Sequence, residues 1–244
     1  MEPEQRLSNV AAAYGVDRHW LYVRITDLFG FDDFSGQRVL DVGAGRGLHA
    51  CAIAALGAAE VVALEPEMEG SRAGVTGIFR QNVESLGLQN VRLLTASLEA
   101  FRAEPESFDR VLMYAVINHI DEAHVQTLDR DLDSRRIYIQ HLTPVLNWLR
   151  PGGQLVAFDA ARSHMFTPLI RAGLLKQHPR FPTIAWEKHQ NPEVWAAVLR
   201  QTGFRDVHYH WAAFTRHDWI RATLGRLTML NRLILAHFVL RATR

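Results

Sequence analysis

The stretch Val39-Leu40-Asp41-Val42-Gly43-Ala44-Gly45-Arg46-Gly47 decides the fold, because a short strand here runs straight into three closely spaced glycines. Glycine permits a sharp turn and a close backbone approach to a ligand. The free N–H groups of a helix that opens there favour a carboxylate or phosphate. The strand begins at Gln37, and after the glycines Leu48, Cys51, Ala52 and Leu56 share one face of a helix over Arg46 to Leu56. A second strand, Glu60 to Leu64, is apolar after its first residue. The helical stretch Met68 to Leu86 follows, and Gly87 stops it. In a doubly wound sheet the first strand-to-helix turn opens on the ligand crevice, and an acidic residue about 20 positions onward takes a ribose hydroxyl. Glu65 closes the second strand at that place, so a ribose-bearing ligand is expected.

The alternation continues down the chain. Val91 to Thr95 reads as a third strand, and Phe108 to Ala115 as a fourth that is apolar on both faces, as a central parallel strand should be. Leu142, Val145, Leu146 and Leu149 keep helical spacing, while Thr143 and Pro144 suit equally the start of a fresh helix. Pro151-Gly152-Gly153 forms a turn into a fifth strand, Gln154 to Phe158. Asn191 and Pro192 open a helix with Val194, Trp195, Val198 and Leu199 on its buried face, and Gly203 ends it. Phe204 to Trp211 and His237 to Thr243 are the last strands, with Asp218 to Leu235 helical between them. The pattern predicts an α/β protein of Rossmann-like type: a doubly wound, mostly parallel seven-stranded sheet with helices on both faces. A single domain covers 1–244, with 1–34 as an N-terminal helical cap and 160–191 as an acceptor-pocket insertion.

Composition narrows the function classes. With 48% hydrophobic and 22% charged residues and a formal net charge of +1, the chain gives no reason to expect disorder or whole-molecule attraction to nucleic acid. Cys51 is the only cysteine, no apolar signal stretch follows the acidic start, and no apolar run reaches the roughly 20 residues of a membrane span. The expectation is a cytoplasmic protein. One basic segment, 216–244, carries Arg216, Arg221, Arg226, Arg232, Arg241 and Arg244 against Asp218. Its first reading is a solvated face, with peripheral contact to a lipid surface as the alternative.

Glycine spacing then separates possible ligands. The loop is Gly-x-Gly-x-Gly, not the Gly-x-Gly-x-x-Gly of the dinucleotide fingerprint, and Asp41 suits a cationic amino group better than a pyrophosphate. Val39 to Gly47 resembles the first motif of the class I S-adenosylmethionine-dependent methyltransferases, and Val61 to Glu65 resembles their second. Phe108 to Leu112 and Leu149 to Gly153 look like the family's fourth strand and its proline-glycine-glycine turn. The resemblance implies S-adenosyl-L-methionine as cofactor. It runs past Gly43, Ala44, Gly45 and Gly47, with Asp41 helping to hold its amino group and Glu65, followed by Pro66, taking the ribose hydroxyls. Tyr114 and Ala115 would lie near it. Where the family often has an acidic residue for the adenine amino group, this chain has Ser97, so weaker adenine contacts through Ser97 and the Leu98 backbone are expected. An NAD(P)-dependent oxidoreductase and a non-catalytic methyltransferase-like binding domain remain the alternatives. A domain that transfers an aminopropyl group would need an acidic polyamine pocket, which Asp159 alone does not make.

Methyl transfer from a sulfonium is an in-line displacement that needs alignment and exclusion of water more than a strong catalyst. A hydroxyl acceptor would gain from a general base near neutrality, and His119, just past the fourth strand, is the first candidate. Fixing of the loop by Asn118 and His119 is the bland reading. His164 and His189 are weaker candidates, and Asp109, at a strand start, reads as a loop-fixing carboxylate. Tyr14, His19, Trp20 and Tyr22 suit a helix packed on the sheet, or else a lid. No metal site is indicated. A small-molecule acceptor is reached by exclusion: Val116-Ile117-Asn118-His119 is not the Asn/Asp-Pro-Pro-aromatic tetrapeptide of similar nucleic-acid enzymes, and Cys51 lies inside the first helix.

Overall fold

The computed structural model describes residues 3–67, 74–179, 181–212 and 236–244. Two N-terminal helices, α1 (Pro3–Ala13) and α2 (Arg18–Phe29), precede β1 (Arg38–Val42) and α3 (Leu48–Ala55). Next come β2 (Glu60–Leu64), α4 (Val75–Ser85), β3 (Val91–Leu94), β4 (Phe108–Tyr114), the short α5 (Glu122–Val125), α6 (Leu132–Trp148) and β5 (Leu149–Ala160). A short α7 (Thr167–Arg171), α8 (Pro192–Thr202), β6 (Arg205–Trp211) and β7 (His237–Thr243) complete the described elements. The seven strands lie in the order β3-β2-β1-β4-β5-β7-β6. The first five pair in parallel, and β7 runs antiparallel to both β5 and β6.

Period-two alternation assigns each strand residue to one of two cores. Leu40, Val42, Val62, Val111, Met113, Leu155 and Leu240 face Tyr138, Leu142, Trp195 and Leu199 of α6 and α8. Val39, Val61, Leu112, Val156 and Val239 face Leu21, Ile25, Leu28 and Ile53 of α2 and α3, with Leu7 and Val10 of α1 behind them. Each of these fully buried side chains contributes about 1.5–3 kcal/mol. Asp41 shares the face of Val39 and is therefore carried into the second core, although its side chain is polar.

Local geometry moves several boundaries. The first helix begins at Leu48 and not Arg46, because Gly47 is left-handed at φ 85°. Likewise α4 begins at Val75 behind the left-handed Gly74, while 68–73, where the sequence suggested an earlier start, fall outside the described residues. Thr143 and Pro144 do not open a new helix: α6 passes through Pro144, and the Thr143 hydroxyl donates to the Ile139 carbonyl at 2.7 Å. The Pro-Gly-Gly turn is absorbed into β5, where pairing jumps from Phe108–Leu149 to Arg110–Gln154. The expected helix 218–235 lies outside the described residues.

Tertiary packing explains the third glycine of the loop. A Cβ on Gly47 would overlap the ring of Phe79, a fully buried residue of α4. Gly47→Ala combines that overlap with a left-handed backbone, and should lower unfolding stability by about 2–4 kcal/mol in urea titrations.

Candidate active site

At the C-terminal ends of β1, β2 and β4 lies a cavity of about 620 Å³, a size ordinary for a small-ligand site. Of the residues singled out in the sequence, Gly43, Glu65, Pro66, Ser97, Leu98, Ala115 and His119 line it. Glu65 is held firmly, since its Oε2 accepts the Gly45 N–H at 2.7 Å and its Oε1 accepts the Glu67 N–H at 3.2 Å. The end of β2 is thereby tied to the glycine loop. Ala115 is left-handed at φ 54°, a conformation costly for a residue with a Cβ, and its N–H donates to Phe158 at 2.7 Å. The Ser97 Oγ accepts the Ala100 N–H at 3.2 Å, which leaves its hydroxyl proton for another partner.

The other singled-out residues sit around the loop and not on the cavity wall. Asp41 is buried beneath it; desolvation and the charge of Glu65 push its carboxyl up to about 8, while the Ala50 backbone N–H pulls the other way. Its Oδ2 has no hydrogen-bond partner. Tyr114 turns to the α2 side, 4.1 Å from the His49 ring and stacked on Phe158 at 4.5 Å, with the Arg24 guanidinium 4.8 Å above it. His49 is held neutral by burial and by Arg24, its pKa lowered to about 3. Gly45 has no atom within 4 Å of the place a Cβ would take, so the loop there borders open space. Tyr14 is a strut: its hydroxyl donates to the Arg46 carbonyl at 2.8 Å.

Asn118 and His119 prove to have separate fates. Asn118 is fully buried, donating from Nδ2 to the Ala160 carbonyl at 3.2 Å and accepting at Oδ1 from Gln190 N at 2.9 Å and Trp195 Nε1 at 3.1 Å. His119 is exposed on the cavity wall, and its Nδ1 lies 2.9 Å from Glu122 Oε1. Hydrogen bonds from Lys188 and His119 hold the Glu122 carboxyl below the usual range. His189 is buried behind His119 with ring centroids 5.4 Å apart, and its Nε2 lies 3.6 Å from Asp159 Oδ1. His164 lies elsewhere, in the wall of a second cavity. Asp109 fixes the start of β1, accepting the Arg38 N–H at 2.7 Å and pairing with Arg150.

Sequence reasoning missed Glu99, Val116, Ile120 and Glu122, all on the same wall. Glu122 was within reach of it, since a carboxylate three residues after a histidine on a helical turn faces that histidine. Glu99 had no comparable signal.

Residues 39–133 match the model of a methyltransferase domain. A ubiquinone biosynthesis O-methyltransferase of Dinoroseobacter shibae is 30% identical over 202 residues, which cover 81% of this chain and 68% of that protein. The chain belongs to the class I S-adenosylmethionine-dependent methyltransferases. A tRNA U34 carboxymethyltransferase of Methylococcus capsulatus matches this methyltransferase at 32% identity over 122 residues, half of this chain and 32% of that one. The crystal structure of an S-adenosylmethionine-dependent methyltransferase of Mesorhizobium loti superposes with a TM-score of 0.60 at 18% identity, covering 92% of this chain and 97% of the other. S-adenosylmethionine is the cofactor, and the oxidoreductase alternative falls away.

The cavity fits such a cofactor. Open space beside Gly45 admits a ligand, Glu65 offers a fixed carboxylate, Leu64, Leu98 and Ile120 offer an apolar slot, and the three carboxylates Glu65, Glu99 and Glu122 suit a positively charged ligand. Among the described residues no helix is long and apolar enough to cross a membrane. Of the arginines named in 216–244, the two that are described are structural ties. Arg241 donates to the carbonyls of Leu28 and Asp27, and Arg244 pairs with Glu106 at 3.0 Å.

The raised Asp41 carboxyl has a consequence for stability. Its folded pKa lies above the unfolded value of about 3.9, so its contribution is full below pH 4 and is lost as pH rises through about 8. Asp41→Asn removes that titration. Its melting temperature relative to wild type, measured without cofactor, should therefore climb between pH 5 and pH 9.

Proposed function

We propose that this methyltransferase methylates a hydroxyl group of a small-molecule acceptor, with His119 as general base and Glu122 as its positioning partner. The observation that carries the reading is the 2.9 Å contact of His119 Nδ1 with Glu122 on the wall of the cofactor cavity. With Nδ1–H donated to an ionised carboxylate, Nε2 keeps its lone pair for an acceptor proton. Lys188 braces Glu122 from the other side at 2.5 Å. When bound, S-adenosylmethionine supplies an electrophilic methyl group on a sulfonium. Glu65 would hold its ribose hydroxyls, Gly43, Ala44, Gly45 and Gly47 would border its amino-acid part, and Asp41 would act on that part through the loop above it. Pro66, Ser97 and Leu98 would enclose the adenine, and Ala115 and Tyr114 would set the end of β4 against it. His119 would then take the hydroxyl proton as the acceptor oxygen bonds to the methyl carbon and the carbon–sulfur bond breaks, which leaves a neutral thioether.

The chain would form a single methyltransferase domain over 1–244. α1 and α2 would cap the loop through Tyr14, and 160–191 would build the acceptor side. A small acceptor is supported by the limited volume of the cavity at the ends of β1, β2 and β4, about 620 Å³, and the cytoplasm by a lone buried thiol, Cys51, whose pKa burial raises to about 11.

Two titrations and one assay test this. Glu65→Gln should weaken S-adenosylmethionine binding by about 1–3 kcal/mol in calorimetry, the loss of a hydrogen bond to a charged group. His119→Ala should keep that affinity and lower kcat on hydroxylated acceptors by about 10²-fold or more. Glu122→Gln should lower kcat about tenfold with little change in KM, and Glu122→Asp should recover part of it. Undiminished turnover in His119→Ala would remove the base assignment, and methyl incorporation into tRNA but no small molecule would remove the acceptor assignment.

A further inference from the structure

A second cavity, of about 480 Å³, is built largely by the segment that follows β5. Its wall carries Arg130, Arg162, Arg171 and Lys176 against one carboxylate, Glu187. Arg162 is committed to the fold: it donates from Nε to the His189 carbonyl at 2.7 Å and from Nη2 to the Gln126 carbonyl at 2.9 Å, and it lies 3.6 Å from Asp129. Arg130, Arg171 and Lys176 are exposed, and among the described residues no carboxylate pairs with them. Three exposed cations thus face one space, a local positive field that favours an anion.

The same cavity is floored by flat rings. His178 and Trp186 stack at 5.1 Å and 29°, and the His164 ring is 4.3 Å from Trp186. His164 is buried, its Nδ1 has no hydrogen-bond partner, and burial with neighbouring His178 lowers its pKa to about 4, so it adds no charge near neutrality. A ring floor beneath a cationic rim matches a planar molecule that bears a carboxylate or phosphate. Its face stacks while its anion meets guanidinium and ammonium groups.

Position links this cavity to the chemistry. Trp186 lies 6.1 Å from His189, and His189 lies 5.4 Å from His119, so buried His189 stands between the two cavities. We propose that the second cavity binds the anionic end of the methyl acceptor, an aromatic compound carrying a carboxylate or phosphate, and directs its hydroxyl toward His119. This assignment rests on the O-methylation reading above.

Calorimetric titration of the full chain saturated with S-adenosylhomocysteine tests it, with benzoate, phenyl phosphate and benzyl alcohol as probes. At least one of the two anions should bind, benzyl alcohol should not, and the affinity should fall with added salt. Benzoate alone would assign a carboxylate, and phenyl phosphate alone a phosphate. The double variant Arg171→Gln, Lys176→Gln should lose roughly tenfold or more in anion affinity, as hydrogen bonds to charged groups would give, and keep its affinity for S-adenosylhomocysteine. Anion affinity unchanged in the double variant, equal binding of benzyl alcohol, or no anion binding would overturn the assignment. A methyl-transfer assay separates the two readings. Transfer to hydroxybenzoate or hydroxyphenyl phosphate that the double variant leaves unchanged would sink the anion site and spare O-methylation. Anion binding lost in the variant, with no hydroxyl ever methylated, would do the reverse.

Discussion

The buried amide of Asn118 holds the site together. It sits past the end of β4, reaches the Ala160 carbonyl at the end of β5, and accepts from Gln190 and from the indole of Trp195 in α8. Inside a core, each of these bonds replaces water that cannot enter, so losing one partner strands the others at about 1–3 kcal/mol each. The Asn118 N–H points at Asp159, 3.4 Å away, and Asp159 lies beside His189. Asn118 therefore ties the layer between the two cavities, His119 on one side and Trp186 on the other, to the sheet, and Arg162 braces it through the His189 and Glu187 carbonyls. His119 can remain exposed and available because its neighbour takes the structural role.

Elements whose pattern is set locally were legible in the sequence. The β1 loop, Glu65 and the helix from Pro192 to Gly203 each carry their own signal, a glycine spacing, a distance along the chain or a pair of caps, and their positions follow from it. Boundaries moved where tertiary packing overrode that signal. Pro144 stays inside α6 because Leu142 and Val145 are both buried against the sheet, and the core holds the helix across one missing hydrogen bond. The Pro-Gly-Gly stretch became a bulge because β4 and β5 pair on both sides of it.

Site residues divided along the same line. Gly43, Glu65, Ser97 and Leu98 belong to the ends of strands, and strand order alone brings them to one cavity. The partners of His119 come from farther away: Lys188 reaches Glu122 from 66 residues along the chain, and His189 arrives with it. No period or motif in 160–191 announces that approach, since the segment is mostly loop with only short helical turns. Only the fold gathers Arg130 with Arg171 and Lys176.

Charge is sorted between the two cavities. Glu65, Glu99 and Glu122 line the first, with Asp41 beneath its loop, whereas Arg130, Arg162, Arg171 and Lys176 line the second. The chain as a whole is nearly neutral at +1, so this separation is a local arrangement and not a by-product of composition. A carboxylate-lined cavity favours a sulfonium cofactor, and also favours its release once methyl transfer has removed the positive charge. The basic cavity has the opposite preference, holding an anionic acceptor throughout while repelling the cofactor from the wrong site. Lys188, Glu122 and His119 form a hydrogen-bonded chain at the wall of the first cavity. On the proposed mechanism, a proton taken by His119 would leave an imidazolium 2.9 Å from Glu122, whose carboxylate would compensate it.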